Sequence, residues 1–428
     1  MRLPELLLPA GDMESLETAL LYGADAVYLG AEGPNLRAGA AGFAGERLAV
    51  AARKCRAAGV RLYVCLNASP REQDLGLVRE GLAQALDAGA DGLIVADPGV
   101  ARLARREAPQ LPLHVSTQAN TRNLEALAFW RDFGAVRANL ARECSAAELV
   151  RLLRGRDERL PGFELEVFAH GAQCLAQSGR CALSAYMVDR PVGQAGRTAS
   201  MGSCAHPCRY EYRLRAVVEE RKRAGDDAWE VVERAADAPA APGGAAWTQF
   251  FAPQDLCLIW HARWLCRLGV DALKIEGRTR SSAYLAVTAD AWRFALSGVA
   301  AGNFQPRRVL GELRHSATRA LTSGLFGADA RREIPGLDRA APRRPPMLRV
   351  LADRGDATAW DVELKGTFDP ARPEGLTLIL PGLERPVLAP GAFRLETAAG
   401  EPLAMGHPGL RVVLHAAHPG LRPGVFAR

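Results

Sequence analysis

The amino-acid sequence predicts an α/β fold, a (β/α)8 barrel of the TIM type, followed by a small C-terminal all-β barrel domain. Three observations support this prediction. Short apolar runs alternate with helical stretches over roughly the first three hundred residues. This alternation stops at a Pro- and Arg-rich segment, Arg339–Pro346, that is typical of a linker. Beyond it, short strand-like runs are separated by glycine and proline.

Each predicted barrel strand is a β-branched or leucine-rich run that ends in a polar residue or glycine. The eight runs are Glu5–Ala10, Ala26–Gly30, Arg61–Asn67, Gly92–Asp97, Leu113–Gln118, Ala135–Arg142, Glu164–His170 and Asp271–Gly277. Eight strands that alternate with helices match a closed barrel. An open doubly wound sheet would give a similar alternation, so the strand count leaves that fold open.

Helices are predicted wherever apolar residues recur at three- and four-residue spacing. The predicted stretches are Met13–Tyr22, Glu46–Ala58, Leu75–Ala88, Asn123–Phe133, Ala146–Arg154, Leu256–Leu268 and Ser282–Leu296. Asp12 and Ser145 are suited to cap the first and the sixth barrel helix, because their side-chain oxygens can accept from free N–H groups.

One connection is far longer than the others. About a hundred residues separate the seventh predicted strand from the eighth, and this insertion, at about 171–250, carries four cysteines. Its hydrophilic part, Val218–Gly244, is expected to be loosely ordered. The predicted organisation is therefore a barrel over 1–300 with this insertion, a helical and linker segment over 301–346, and the β-domain over 347–428.

The β-domain is predicted from five short strands with Gly/Pro punctuation. They are Met347–Val350, Trp360–Leu364, Leu376–Leu380, Phe393–Glu396 and Val412–His415.

Composition describes an ordinary globular protein of 428 residues, with 48% apolar and 24% charged residues. The N-terminal apolar run is three leucines between two prolines, too short for a secretory segment. No stretch approaches the ~20 apolar residues that cross a membrane. A cytoplasmic location without a membrane partner is the expectation, and the nine cysteines are then not expected to form disulfides.

The basic residues are almost all arginine. Of 54 Lys and Arg residues only Lys54, Lys222, Lys274 and Lys365 are lysine, and the formal net charge is +6. Arginine suits bidentate phosphate contacts, so the composition permits a nucleic-acid partner without requiring one.

Four cysteines in the insertion form the first candidate site. Cys174, Cys181, Cys204 and Cys208 lie among glycines and polar residues, with the spacing Cys-x6-Cys and Cys-x3-Cys. Neither pair has the Cys-x2-Cys spacing of structural zinc sites, whereas iron–sulfur clusters accept looser spacing and four thiolates satisfy a four-iron cluster. We favour the cluster; zinc and four unliganded cysteines stay open. The other five cysteines are predicted to be small core residues.

Polar residues at the carboxyl ends of the strands form the second candidate site, because these ends meet at the functional face of such a barrel. The predicted catalytic residues are His170, Glu276 and Arg278. The predicted substrate-binding residues are Asn35, Arg37, Asn67, Gln118, Asn120, Arg142, Lys274 and Arg280. The alternatives are a structural histidine, an internal ion pair between Glu276 and an arginine, and solvated loops.

Several common catalytic patterns are absent from the sequence. There is no H-E-x-x-H, G-x-S-x-G, G-x-x-x-x-G-K-[ST] or strand-linked G-x-G-x-x-G. Zinc-peptidase, serine-hydrolase, P-loop and Rossmann chemistry therefore lose support. A peptidase pair of His170 and Cys174 is conceivable, but it would leave the other three cysteines of the insertion without a role.

A family resemblance rests on several motifs together. They are E-L-L-L-P-A-G-D, Y-G-A-D-A-V-Y-L-G, A-D-P-G-V, S-T-Q-A-N, L-A-R-E, E-V-F-A-H-G-A-Q-C-L-A-Q-S-G-R-C, C-R-Y-E-Y and L-K-I-E-G-R-T-R. With these motifs the chain resembles the peptidase U-32 family, also called collagenase-like proteases, from Pro4 to about Ala291. Within the family it is most similar to the branch of prephenate-dependent tRNA uridine hydroxylases.

The resemblance implies an iron–sulfur-dependent RNA-modifying enzyme. It implies a four-iron four-sulfur cluster on Cys174, Cys181, Cys204 and Cys208, oxygen-independent hydroxylation of a tRNA wobble uridine, and prephenate as the small carboxylate that donates the hydroxyl group. The alternatives are a U-32 peptidase, and a hydroxylase or partner subunit that acts on a quinone precursor or rRNA. The sequence points to no obligate protein partner.

Two departures from the family bear on the substrate. The link from Cys181 to Cys204 is longer than the usual turn, and A-P-Q-D-L stands where relatives carry Asn-Ser-Lys-Asp-Leu, so only Asp255 and Leu256 match.

Overall fold

The computed structural model describes most of the chain. The described residues are 1–31, 42–178, 180–181, 183–186, 204, 206–211, 217–223, 229–235, 253–327, 343–370 and 374–428. Asn35 and Arg37, both predicted to bind substrate, lie outside them.

Seven strands form the first part of a parallel barrel. They are β1 (Glu5–Ala10), β2 (Ala26–Gly30), β3 (Arg61–Leu66), β4 (Gly92–Val95), β5 (Leu113–Val115), β6 (Ala135–Asn139) and β7 (Glu164–Ala172). Each strand pairs in parallel with the next. Every residue of β1 and β2 is buried, as expected for strands covered on both faces.

Six helices connect these strands. They are α1 (Met13–Leu21), α2 (Gly45–Ala57), α3 (Leu75–Asp87), α4 (Pro98–Glu107), α5 (Leu124–Asp132) and α6 (Ala146–Arg159). Both predicted caps are confirmed: Asp12 accepts from the Ser15 N–H at 2.7 Å, and Ser145 forms a capping box with Glu148. Asp97, at the end of a predicted strand, instead caps α4 by accepting from the Gly99 N–H.

The insertion contains more regular structure than its composition predicts. A short helix α7 (Leu183–Tyr186) precedes an antiparallel hairpin, β8 (Val217–Arg223) with β9 (Trp229–Ala235). All of the hairpin except its first residue, Val217, falls within the stretch expected to be loosely ordered.

The end of the insertion corrects one helix prediction. Residues predicted to begin a helix at Leu256 form β10 (Asp255–Cys257), which pairs antiparallel with the end of β7, and the helix α8 is Ala262–Leu268. Strand pairing here overrides a local helical pattern.

The last barrel strand, β11 (Ala272–Ile275), pairs in parallel with both β7 and β1. This double pairing closes the barrel, so the predicted (β/α)8 fold is confirmed and the open doubly wound sheet is excluded. The long helix α9 (Ser282–Ala300) follows, then α10 (Pro306–Ser316) and the short strand β12 (Leu321–Thr322) beside β10. In the part of the chain described, no helix has the length and apolar character to cross a membrane.

A separate antiparallel sheet forms the C-terminal region. Its strands are β13 (Leu348–Asp353), β14 (Ala359–Leu364), β15 (Leu376–Ile379), β16 (Val387–Leu388), β17 (Arg394–Glu396), β18 (Arg411–His415) and β19 (Phe426–Ala427). Their order in the sheet is β16-β15-β19-β13-β14-β18-β17. The five predicted strands are confirmed; β16 and β19, of two residues each, give too short a pattern to predict.

Buried polar contacts join this sheet to the barrel. The Tyr22 hydroxyl at the end of α1 donates to the Ile379 carbonyl at 2.6 Å. Arg385 lies 2.7 Å from Asp290 on α9 and 2.7 Å from Glu312 on α10. The C-terminal sheet therefore packs on the helices that flank the last barrel strand.

Candidate functional site

The carboxyl ends of the barrel strands surround a polar pocket, which we call the mouth pocket. It is lined by residues of β2, β3, β5, β6, β7 and β11 or of the loops directly after them: Tyr28, Cys65, Asn67, Ser116, Thr117, Gln118, Arg142, Phe168, Lys274, Glu276 and Arg278. The structure thus brings together six residues predicted for the site, namely Asn67, Gln118, Arg142, Lys274, Glu276 and Arg278.

Two cations meet one aromatic ring in this pocket. The Lys274 Nζ lies 4.1 Å from the centroid of the Tyr28 ring, and the Arg278 guanidinium carbon lies 5.7 Å from it. The Tyr28 hydroxyl donates to the Ile275 carbonyl at 2.9 Å, which holds the ring against β11. Positive charge beside an aromatic face favours an anionic or planar ligand.

Amide and hydroxyl groups form the opposite side of the pocket. The Asn67 Nδ2 donates to the Ser116 hydroxyl oxygen at 3.2 Å. The Gln118 Oε1 is buried and has no hydrogen-bond partner among the residues that the structure describes. Asn120 adopts a left-handed backbone, with φ of 54°, and its Nδ2 donates to the Gln118 carbonyl at 3.2 Å. Asn120 thus shapes the loop that carries Gln118 and is not among the pocket-lining residues.

Arg142 connects the mouth pocket to the start of the insertion. Its guanidinium lies 4.2 Å from the centroid of the Phe168 ring, and its Nη1 donates to the Ala172 carbonyl at 3.0 Å. Ala172 is the last residue of β7 and precedes Cys174 by two positions. The first cysteine therefore leaves the barrel beside this pocket.

Arg280 lies in a second charged cluster, not in the lining of the mouth pocket. Its guanidinium donates to the Asp255 Oδ2 at 2.9 Å and to the Thr318 hydroxyl oxygen at 2.7 Å. Arg319 lies 3.2 Å from the other oxygen of Asp255. Burial raises the pKa of Asp255 even though both arginines favour its charged form. These contacts hold β10 against the loop that follows β11.

His170 points away from the mouth pocket. The register between β7 and β11 shifts at Lys274 and Ile275, and the His170 ring lies 6.3 Å from the ring centroids of Tyr284 and Trp292 on α9. The residue is 2% exposed, and burial together with the Arg280 charge lowers its pKa to about 3. The neutral imidazole is enclosed under α9, whereas the His170 backbone carbonyl accepts from the Glu276 N–H at 2.8 Å.

A buried ionic network occupies part of the barrel interior below the pocket, and sequence reasoning missed it. Arg137 on β6, 2% exposed, lies 2.6 Å from the Glu5 carboxylate and 3.6 Å from that of Glu166. Its Nε also donates to Glu164 at 2.7 Å. The available signal was a charged residue inside each of three apolar strand runs.

His114 on β5 borders this network. Its ring packs edge-on to Tyr63, with centroids 4.4 Å apart. Burial, followed by the Arg137, Lys274 and Arg61 charges, lowers its pKa well below the ordinary value, so this histidine is neutral at physiological pH.

The four cysteines of the insertion lie close to one another. Burial, and the neighbouring thiols of Cys174, Cys204 and Cys181, raise the pKa of Cys208, whereas Arg209 lowers it. Cys174 is exposed and the other three are partly exposed. Among the residues that the structure describes, no group of three or more His, Cys, Asp or Glu side chains is arranged to hold a single metal ion.

The remaining five cysteines are buried, which confirms their predicted place in the core: Cys55, Cys65, Cys144, Cys257 and Cys266. Burial raises the pKa of the Cys55 and Cys257 thiols to about 12. Such thiols are unreactive and stand apart from the four in the insertion.

Comparisons with known proteins agree on one family. The pattern of peptidase family U32 matches residues 11–334. The chain is 34% identical to tRNA hydroxylation protein P of Escherichia coli, over 76% of this chain and 74% of that protein. It is 34% identical to tRNA hydroxylation protein P1 of Bacillus subtilis, over 76% and 71%. It is 31% identical to a collagenase of Porphyromonas gingivalis, over 71% and 68%.

Proposed function

The chain belongs to peptidase family U32, and we propose that it is an RNA-modifying enzyme that hydroxylates a tRNA wobble uridine without oxygen, using an iron–sulfur cluster. The observation that carries this proposal is the proximity of four cysteine thiols to one another, on a segment that leaves β7 next to the mouth pocket. Similarity to the tRNA hydroxylation proteins supports RNA as the substrate.

Cys174, Cys181, Cys204 and Cys208 would hold a four-iron cluster. Their thiols are close enough to influence the titration of Cys208, and at least three of them lie outside regular helices and strands. This donor set suits iron–sulfur ligation, which uses four thiolates. When bound, the cluster would supply electron transfer or a Lewis-acidic iron to the reaction.

The mouth pocket would receive the base and a small carboxylate donor. Asn67 and Gln118 offer amide groups that suit the edge of a pyrimidine, and the buried Gln118 Oε1 supplies an acceptor. Lys274 and Arg278 would bind a carboxylate, for which prephenate is the expected compound. The pocket therefore combines one side suited to a base with one side suited to an anion.

A peptidase is the alternative that the name of one relative suggests. A cysteine peptidase at this site would pair Cys174 with His170. His170, however, is 2% exposed and faces Tyr284 and Trp292, whereas Cys174 is exposed. This geometry favours hydroxylation over peptide hydrolysis.

Metal analysis of anaerobically purified protein tests the cluster. We expect about four iron atoms per chain and a broad absorption band in the visible range. Cys174→Ser and Cys204→Ser should lose both, whereas Cys266→Ala, which removes a buried core thiol, should retain them. A colourless wild-type protein with one zinc per chain would contradict the proposal.

Nucleoside analysis tests the substrate. An Escherichia coli strain that lacks its tRNA hydroxylation protein P is complemented with this chain, and digested tRNA is compared by mass spectrometry. We expect hydroxylated uridine derivatives to reappear with the wild-type chain and not with Cys174→Ser. Unchanged nucleosides, with the wild-type protein folded and holding iron, would refute tRNA hydroxylation.

A further inference from the structure

Lys274 is a lysine in a chain that otherwise uses arginine. Lysine accounts for four of 54 basic residues, yet one of the four lies in the mouth pocket. The two side chains differ in chemistry: a guanidinium keeps its proton in proteins, whereas a lysine amine can release one. The position therefore provides the one thing that arginine cannot, a cation able to act as an acid.

The position of Lys274 suits contact with a ligand. The residue is 7% exposed, lies near the end of β11, and lines the mouth pocket together with Glu276 and Arg278. Neighbouring strands fix its backbone, because it pairs with Leu7 on β1 and with Phe168 on β7. A side chain on two paired strands is more precisely placed than one on a loop.

Glu166 is the ion-pair partner of Lys274, and it has further partners of its own. The Lys274 Nζ donates to the Glu166 Oε1 at 3.2 Å and faces the Tyr28 ring. Glu166 has two other partners, since Asn139 donates to it at 2.7 Å and Arg137 lies 3.6 Å away. When Lys274 releases a proton, the Glu166 carboxylate is therefore not left buried without a partner, which would be costly.

Charged and titratable groups face Lys274 from every side of the barrel. They are Tyr28 on β2, His114 on β5, Arg137 on β6, Glu166 on β7, and Glu276 and Arg278 after β11. Below the pocket the carboxylates of Glu5, Glu164 and Glu166 are matched by Arg61, Arg137 and Lys274. Lys274 is the ion-pair partner of Glu166, and a charged amine has a proton to donate, so the role that suits it is that of an acid.

We propose that Lys274 is the general acid of the mouth pocket. One Nζ–H bond breaks, the proton forms an O–H bond on a substrate oxygen that gains negative charge, and the neutral amine is reprotonated by water after product leaves. The inference rests on the proposed function, in which the pocket holds the base and the carboxylate donor. It assigns proton transfer, rather than binding alone, to this residue.

Two substitutions separate proton transfer from charge. Lys274→Arg keeps a cation beside Glu166 but cannot donate a proton, and Lys274→Met removes both functions. General acids contribute about 100-fold or more to rate, so both variants should lose at least that factor in kcat. Lys365→Arg is the matched control, because Lys365 is also part-buried between two carboxylates, Glu14 and Glu363, but lies in the C-terminal domain.

A second pair of variants tests the same role through pH dependence. The donor must be protonated, so the rate falls as the pH rises. Glu166→Gln removes the carboxylate that stabilises the ammonium and should move this alkaline fall to lower pH. Glu164→Gln is its control, because the ion-pair partners of Glu164 are Arg137 and Arg2, and it should leave the fall in place.

The outcomes are distinguishable. A Lys274→Arg variant that keeps more than about a hundredth of wild-type kcat, with wild-type tRNA binding and melting temperature, would overturn the acid role alone. Should Lys274→Arg fail to fold, equal pH profiles for Glu166→Gln and Glu164→Gln would overturn it instead. A wild-type protein with an intact cluster and no product on tRNA would overturn the proposed function, and the acid role with it.

Discussion

The interior of the barrel contains a buried ionic network beside apolar residues, whereas the interior of the C-terminal sheet is an apolar core. The barrel strands surround Glu5, Arg137 and Glu166, all nearly fully buried, in an ionic network. The sheet surrounds an apolar core that includes Val362 and Leu364, both 0% exposed. Both interiors are built from strands that alternate inward and outward side chains, so the difference lies in which residues occupy the inward positions.

The difference shows what each interior contributes. Apolar contacts are non-directional, and they stabilise in proportion to the area buried. A buried charge that loses its partner is strongly destabilising, whereas replacing a whole buried ion pair by apolar residues is often neutral or stabilising. Buried charges in the barrel therefore stabilise the fold less than apolar residues would, but they place charged groups beneath the pocket. The apolar core of the sheet contributes to stability alone.

Breaking the ionic interior should produce the largest effect. Arg137→Met leaves the carboxylates of Glu5, Glu164 and Glu166 with one cation fewer in a buried place. Removing one member of a buried ion network costs about 3–5 kcal/mol, which urea unfolding measures. Arg131→Met, which breaks an exposed pair with Asp132, should cost less than about 1 kcal/mol. Equal losses in the free energy of unfolding for the two variants would show that the buried network stabilises no more than an exposed ion pair.

Breaking the apolar interior should lower the free energy of unfolding by a similar or smaller amount than Arg137→Met. The affected region should be the C-terminal sheet and not the barrel. Leu364→Ala removes a fully buried side chain that occupies the space beside Gly406. Such truncations cost about 2–5 kcal/mol, here placed near 3. Hydrogen exchange should show faster exchange in β13, β14 and β18, with the barrel strands unchanged. Faster exchange in β1 to β7 would contradict the expectation that the sheet and the barrel are stabilised independently.

The sequence was sufficient for the position and order of the barrel strands along the chain, because each is a short apolar run between polar ends. It was insufficient for the direction of individual side chains. His170 was expected at the mouth pocket, and a register shift of β7 against β11 turns it under α9. Such a shift depends on pairing between distant strands, which a single sequence does not reveal.

The ionic network was missed for a different reason. Glu5, Arg137 and Glu166 each lie within a run that predicts a strand, and a charged residue there could have faced either solvent or the interior. Three such residues on β1, β6 and β7 become a signal only when the closure of the barrel is known. Arg280 was expected to bind substrate, but its guanidinium contacts Asp255 and Thr318.

The joint between the two interiors allows a weaker test. Arg385→Met removes the cation between Asp290 and Glu312, although Asp290 still accepts from the backbone N–H of Gly382. We expect a loss of about 2 kcal/mol, below that of Arg137→Met because these partners retain other contacts. Thermal unfolding and limited proteolysis measure it. The control Arg354→Met breaks an exposed pair and should leave both readouts unchanged.

Wild-type protease resistance after Arg385→Met would mean that apolar packing alone holds the sheet on the barrel. In that case ion pairs would contribute less to the contact between sheet and barrel than to the stability of the barrel interior.

The pH dependence of this joint should give the smallest effect. Burial raises the pKa of Glu312, but Arg385 and Arg428 together lower it by more than burial raises it. The pKa of Glu312 in the folded protein therefore lies below the ordinary value of 4.5. The unfolded state then binds the proton more readily, and the stability from ionised Glu312 is present above pH 4.5 and lost as the pH falls below it. Glu312→Gln should therefore be less stable than wild type near neutral pH, by on the order of 1 kcal/mol, and the gap should close in acid. The urea midpoints of both proteins, from neutral pH to below pH 4.5, measure this difference in stability. A difference that widens in acid would contradict a lowered pKa for Glu312.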